Sequence, residues 1–246
     1  MVKKKTVQGL MALTALFLST GAGQARDIFK DAQADVFLLG GGSTLVDAHY
    51  FNTESGLYHS RYDLGPKFAI GVSVPYGKLL SIESAYSYGP NNLVVTNTSA
   101  FPHKGVEYPV RDYIGSLSAV IHAPVSLFHI RPYAEGGVEY DRFSPTPAAI
   151  TLAENLGGAP NGGFASVSTA LITHNDKFGV NLGGGLDRKL SKRLAFRIDL
   201  RDHVTSSPAF GLPPQPTVDS MASFPVAGRA HNLEYTAGIV LHLGKL

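Results

Sequence analysis

The sequence predicts an all-β chain, folded as an eight-stranded antiparallel up-and-down transmembrane β-barrel. Three observations carry that expectation. Eight stretches alternate apolar and polar side chains with the two-residue period of a strand, and the connections between them alternate in length. Beyond the N-terminus there is no run of roughly eighteen apolar residues, the length from which a spanning helix is built.

The stretches follow in order. Asp35 to Leu45 is blurred by Gly40, Gly41 and Gly42, whereas Lys67 to Val74 sets Phe68, Ile70, Val72 and Val74 against Ala69, Gly71 and Ser73. Leu79 to Tyr88 opposes Leu80, Ile82, Tyr86 and Tyr88 to Ser81, Glu83 and Ser87. Asp112 to Ala123 opposes Tyr113, Leu117, Ala119 and Ile121 to Asp112, Ser116, Ser118 and His122, with Ile114 and Val120 out of step. Phe128 to Phe143 opposes Ile130, Ala134, Val138 and Tyr140 to Arg131, Tyr133, Glu135, Glu139 and Asp141. Phe178, Val180, Leu182 and Leu186 alternate with Lys177, Gly179, Asn181 and Asp187. "RLAFRIDLRDHV" (193 to 204) is the cleanest, its Leu194, Phe196, Ile198 and Leu200 interleaved with Arg197, Asp199 and Arg201. Leu233 to Leu243 closes the series, alternating with Glu234, Thr236 and His242.

"PYGK" (75 to 78), "PVSL" (124 to 127) and "RKLSK" (188 to 192) read as tight hairpins. Residues 46 to 66, 89 to 111, 144 to 176 and 205 to 231 read as long connections, a spacing a compact soluble domain rarely needs. All prolines but Pro132 are expected in connections. "GGGSTL" (40 to 45) and "LGGGLD" (182 to 187) lack the Lys-Ser/Thr ending of a phosphate loop, so their glycines read as room for large lumenal neighbours or as points of curvature.

Lys3 to Lys5, the apolar stretch Leu10 to Leu18 and the small residues Gly23 and Ala25 have the arrangement of a secretory signal, so residues 1 to 25 are expected to be cleaved and 26 to 246 to form the barrel domain. That segment holds three of the 21 basic residues and none of the 19 acidic ones, leaving 18 against 19. Nucleic acid is therefore not an expected partner. With no cysteine, the chain has no disulfide framework, thiolate metal site or Cys nucleophile. Export without a later spanning helix fits the outer membrane of a Gram-negative bacterium.

The strand rhythm over roughly residues 34 to 246, with "RPYAEGGVEYDRF" and "FGVNLGGGLDRKLSKRLAFRIDLRDHV", resembles the small eight-stranded outer-membrane barrels, a group that includes the OmpA transmembrane domain and the OmpW-like proteins. The C-terminal "LHLGKL" departs from that group in lacking an aromatic terminus, and no peptidoglycan-binding domain follows the barrel, so a wall-anchoring role is not implied.

If the apolar faces meet lipid, Glu83, Arg131, Glu135, Glu139, Asp187, Arg197, Asp199 and Arg201 meet in the lumen. A barrel of eight strands is narrow enough to be filled by side chains, so these charges are expected to form an ion-pair network. Arg197 and Arg201 are the expected partners of Glu135 and Glu139. Tyr86, Tyr88, Tyr113, Tyr140 and Tyr235 are candidates for an interfacial aromatic girdle.

Three functions fit this pattern. A non-enzymatic structural or surface-interaction protein comes first, a monomer with outer-membrane lipid as its surroundings and room for an extracellular ligand at the long loops, among them "GLPPQP" at 211 to 216. A narrow pore for small or hydrophobic solutes comes second, requiring a path past Arg197 and Glu135. A lipid-modifying enzyme built on His203, the nearby Thr205, Ser206 and Ser207, and Glu234 comes third. Nine scattered histidines show no metal spacing, although His49 and His59 share one long connection. No metal or cofactor is expected.

Overall fold

The computed structural model describes residues 34–46, 49–53, 56–97, 105–124, 129–151, 173–210 and 228–243. It contains ten strands: β1 (Ala34–Val46), β2 (His49–Thr53), β3 (Gly56–Tyr62), β4 (Gly65–Tyr76), β5 (Leu80–Asn97), β6 (Gly105–His122), β7 (Ile130–Pro145), β8 (Asn175–Lys189), β9 (Leu194–Ser206) and β10 (Arg229–Leu243). Eight of them form the closed antiparallel barrel. The meander runs from β4 through β10, and β1 closes it by pairing with β10 from Ala34↔Leu243 to Val46↔His231 and with β4 from Asp35↔Ser73 to Ser43↔Gly65.

The two-residue period sorts the side chains. On β4, Phe68, Ile70 and Val72 point outward and are 57%, 52% and 43% exposed, while Lys67, next to Phe68, is fully buried. Leu117, Val138, Leu182, Leu200 and Ile239 continue the exposed apolar belt on other strands. Such a belt is far larger than a water-soluble monomer presents. Tyr86 and Tyr235 lie in it, and the rings of Tyr88–Tyr113 and Tyr140–Phe178 meet at 5.2 Å and 5.3 Å.

Inside, apolar and charged side chains share the lumen. Phe37, Leu39, Ala69, Ala85, Ala195 and Val240 pack together. Ile114 and Val120, out of step in the sequence, are lumenal, with 1% and 0% exposure. Their strand is inward-facing at even positions throughout; only the chemistry of that face changes.

Two expectations need correction. The connections at 46 to 66 and 89 to 111 are largely strand: β2 and β3 form a hairpin whose second arm pairs with β5, and β5 pairs with β6 from Leu80↔Ile121 to Thr96↔Gly105. Tertiary pairing overrides the turn propensity of Gly89, Pro90, Asn91 and Asn92. Nor do the prolines keep to connections. Pro66, Pro75, Pro90, Pro109 and Pro145 lie in strands, as Pro132 was expected to, each where the strand has a ladder partner on one side only. Pro90, for example, follows the last β4 pair, at Tyr88, and precedes the first β3 pair, at Leu93. A missing N–H costs little where no acceptor faces it.

The connections at 75 to 78 and 188 to 192 behave as turns, whereas most of "PVSL" lies outside the described residues. Gly77 has φ +76°, which a side chain would strain, and Ser191 Oγ accepts hydrogen bonds from the backbone N–H groups of Arg193 (3.2 Å) and Leu194 (3.1 Å). The expected signal segment, residues 1 to 25, and "GLPPQP" lie outside the described residues, as do 152–172, most of the third long connection.

Candidate functional site

The lumenal charges are gathered by β9, which presents Arg197, Asp199, Arg201 and His203 on one face. Two Arg side chains cross the lumen to the same acid on β5. Arg197 Nη1 donates to Glu83 Oε2 at 2.8 Å, and Arg201 Nη2 donates to Glu83 Oε1 at 3.1 Å. Arg197 also grips Asp187 with two hydrogen bonds, at 2.8 Å and 3.1 Å, a bidentate geometry that fixes the plane of the guanidinium. Its flat faces are covered by Phe37 and Tyr133, whose ring centroids lie 5.2 Å and 4.8 Å from Cζ.

Arg201 holds Glu135 by two bonds, 2.6 Å and 2.9 Å, and lies 3.4 Å from Asp199. Tyr133 Oη donates to Asp199 at 2.5 Å. Glu135 and Tyr133 stand on β7 and their partners on β9, so both side chains must pass over β8. The register explains how: Glu135 pairs with Gly183 and Gly183 with Arg201, while Tyr133 pairs with Gly185 and Gly185 with Asp199. A Cβ at Gly183 would come within 3.0 Å of Glu135 Oε1, and one at Gly185 within 2.5 Å of Tyr133 Oη. The "LGGGLD" glycines open the passage through which the network is built.

A second tier lies further along β9. His203 Nδ1 meets Glu139 Oε2 at 2.6 Å, and its Nε2 is 3.3 Å from Glu234 Oε2. Lys67 Nζ, fully buried, donates to Asp112 Oδ2 at 2.7 Å and lies 3.8 Å from Glu234. Asn232 Nδ2 donates to the same Asp112 oxygen at 2.7 Å, and Ser118 Oγ donates to Asn181 Oδ1 at 2.8 Å. Asp141 is fully buried and neither of its oxygens has a hydrogen-bond partner.

Of the eight lumenal charges proposed from sequence, Glu83, Glu135, Asp187, Arg197, Asp199 and Arg201 are brought together. Glu139 pairs with His203 rather than with either Arg. Arg131 is elsewhere: its Nε donates to Ala123 O at 3.2 Å and its Nη2 to Lys78 O, tying two turns together. It is the second residue of its strand, close to the turns it joins. Sequence reasoning missed Lys67, Asp112 and Tyr133 as members. Each stood on the polar side of an alternating stretch, a signal that marks the lumenal face but does not say which charges meet.

Of the residues of the enzyme reading, His203, Thr205 and Ser207 are buried and Ser206 is not. His203 turns both ring nitrogens toward carboxylates, one of them the Glu234 foreseen as its partner, and Ser206 lies exposed on the opposite face of β9. His49 pairs with Ser60 and His59 with Tyr50, so the two histidines are not cross-strand partners. Among the described residues, no three His, Asp or Glu groups converge as a metal-ligand set.

No family model matches the chain, and no curated protein does. Solved structures do match in fold. The outer membrane protein OprG from Pseudomonas aeruginosa is similar with a TM-score of 0.54 at 11% identity, the match covering 87% of this chain and 98% of OprG. The fold is that of a small outer-membrane β-barrel. Neisserial surface protein A is similar at a TM-score of 0.47 and 12% identity, covering 85% of this chain and 96% of its own. Ail, the attachment invasion locus protein of Yersinia pestis, is similar at 0.45 and 6%, covering 87% and 99%.

Proposed function

We propose that this barrel is a non-enzymatic outer-membrane protein of a Gram-negative bacterium, exported by a cleaved signal at residues 1 to 25, monomeric in lipid, with a structural or surface-interaction role. One observation carries the reading: Arg197 and Arg201 reach across the lumen from β9 to Glu83 on β5, so buried ion pairs occupy the path a solute would take. With the interior filled, recognition falls to the rim. There β5, β6 and the β2–β3 hairpin run on past the last β4–β5 pair and supply a platform for an extracellular ligand.

Planar-bilayer conductance of refolded protein, alongside Arg197→Ala, tests this. Silence from folded, inserted parent protein is the expected result. Reproducible current steps that change in the variant would replace the structural reading with that of a narrow pore. Lipid hydrolysis by the parent that disappears in His203→Ala would replace it with an enzyme.

A further inference from the structure

The apolar belt of the outer wall ends in the same order on three adjacent strands. Toward the end that carries the long connections, β6 presents Leu117, Tyr113 and then Arg111, and β7 presents Val138, Tyr140 and then Arg142. On β8 the order is Val180, Phe178 and then Asp176. Each charge follows its ring after one outward step of about 6–7 Å along the strand. On the outer-membrane reading above, on which this inference rests, aromatic side chains of the lipid face lie at the membrane–water interface. The charges beyond them stand in the headgroup layer, and the short turns at the opposite end make it the extracellular leaflet.

Arg111 and Arg142 are neighbours there. Tyr113 pairs with Arg142 and Arg111 with Ser144, so the two arginines are diagonal on one face of adjacent strands, about 7–8 Å apart. Arg111 is exposed and has no ion-pair partner among the described residues. Arg142 Nε lies 3.7 Å from Asp176 Oδ1, beyond hydrogen-bond length, with the two side chains 26% and 35% exposed. Asp176 is shared further, with the Tyr140 hydroxyl and with His174 Nε2 at 3.5 Å. Glu107, the other outward acid of β6, is farther along the strand and accepts a hydrogen bond from Asn92 Nδ2 at 3.1 Å. Two guanidinium groups therefore face outward with most of their donors unused.

We infer that Arg111 and Arg142 bind a phosphate group of one outer-leaflet lipid, whose acyl chains lie against the aromatic and apolar belt below. Guanidinium forks match phosphate oxygens in pairs. At the edge of the hydrocarbon layer that attraction is screened less than in open water. Headgroup and tail are held by one continuous strip of the β6–β8 outer surface.

The test is made on the full chain refolded in dodecylmaltoside and titrated with diphosphoryl lipid A or with its dephosphorylated form, retained lipid being counted by native mass spectrometry. A preference of about tenfold for the phosphorylated lipid is expected, the size of one charge-assisted hydrogen bond. It should disappear in the double variant Arg111→Gln, Arg142→Gln and increase in Asp176→Asn, which frees Arg142. It should persist in Arg229→Gln, which removes an exposed arginine from β10 at the same end of the barrel. Equal affinity for the two lipids, full displacement by equimolar inorganic phosphate, a preference that survives the double variant, or one that falls in Asp176→Asn or Arg229→Gln overturns the inference. Should the double variant fail to refold, Arg111→Gln alone, at an exposed position without an ion pair, decides in its place. Failure of the underlying reading looks different. A chain that does not insert into phosphatidylcholine vesicles removes the membrane setting, whereas an inserted chain with no phosphate preference removes only this site.

Discussion

The lumen of this barrel solves the same problem twice, and the two solutions differ. Around Arg197 and Arg201, guanidinium forks grip Asp187 and Glu135 with two bonds each, and aromatic rings cover the flat faces of Arg197. Around Lys67 and His203, compact cations with fewer donors meet as many acids, and oxygens remain unanswered. The first tier is a girder joining β5, β7, β8 and β9. The second joins β4, β6, β7, β9 and β10. Arginine builds rigidity where its fork is used in full, and lysine with histidine leaves more of the acids' oxygens without a hydrogen bond.

The largest effect should come from breaking the girder at its node. Arg201→Met removes the partner of Glu83, Glu135 and Asp199 together, leaving buried charge uncompensated. A loss of about 3–5 kcal/mol is expected, read as the unfolding midpoint of the refolded barrel in urea. Glu83 still holds Arg197 in that variant, so a loss below about 1 kcal/mol would mean that the crossing arms are decoration on a barrel stabilised by its ladders.

A smaller loss should follow from blocking the passage over β8. Gly183→Val places a side chain within 3.0 Å of Glu135 Oε1 and 2.6 Å of Leu200 O. Overpacking of this kind costs about 1–3 kcal/mol. Gly136→Val serves as the comparison, because it lies on the outer face where the nearest atom, Leu182 Cδ2, is 3.2 Å away and free to swing into the surroundings. Equal losses in the two variants would remove the special role given to the β8 glycines.

Those glycines also mark what the sequence discloses and what it withholds. The alternation of β9 or β4 assigns every side chain to lipid or lumen, because the pleat has a period of two and one face is apolar. Lumenal residence of Glu83, Arg197 and Arg201 follows from that alone. Partnership does not, because it depends on shear between strands far apart in the chain: Glu83 and Arg201 are 118 residues apart, and Tyr133 and Asp199 are 66 apart. The prolines of β5 and β6 misled for a related reason. A proline is penalised only where an acceptor faces it, and which side of a strand carries a ladder is a property of the closed sheet.

Tyr133→Phe isolates a single bond of the girder. The ring stays over Arg197, while the donor to Asp199 at 2.5 Å is lost. The expected cost is about 1–3 kcal/mol, since a buried carboxylate loses one of its partners and Arg201, at 3.4 Å, is a weak substitute.

The smallest effect belongs to the outer wall, and it sharpens the contrast between charges inside and outside. His231 Nδ1 and Asp202 Oδ2 are 2.8 Å apart, as close as the pairs of the girder, yet their side chains are 48% and 30% exposed. Distance alone would rank this pair with Arg197–Glu83, also 2.8 Å. Solvent reverses that ranking, because exposed charges lose little on parting and are screened by salt. Asp202→Asn should therefore cost less than about 1 kcal/mol in the same urea assay. A loss comparable to that of Arg201→Met would mean that the outer wall at β9–β10 is shielded from water, and that its charges act as a third tier of the same network.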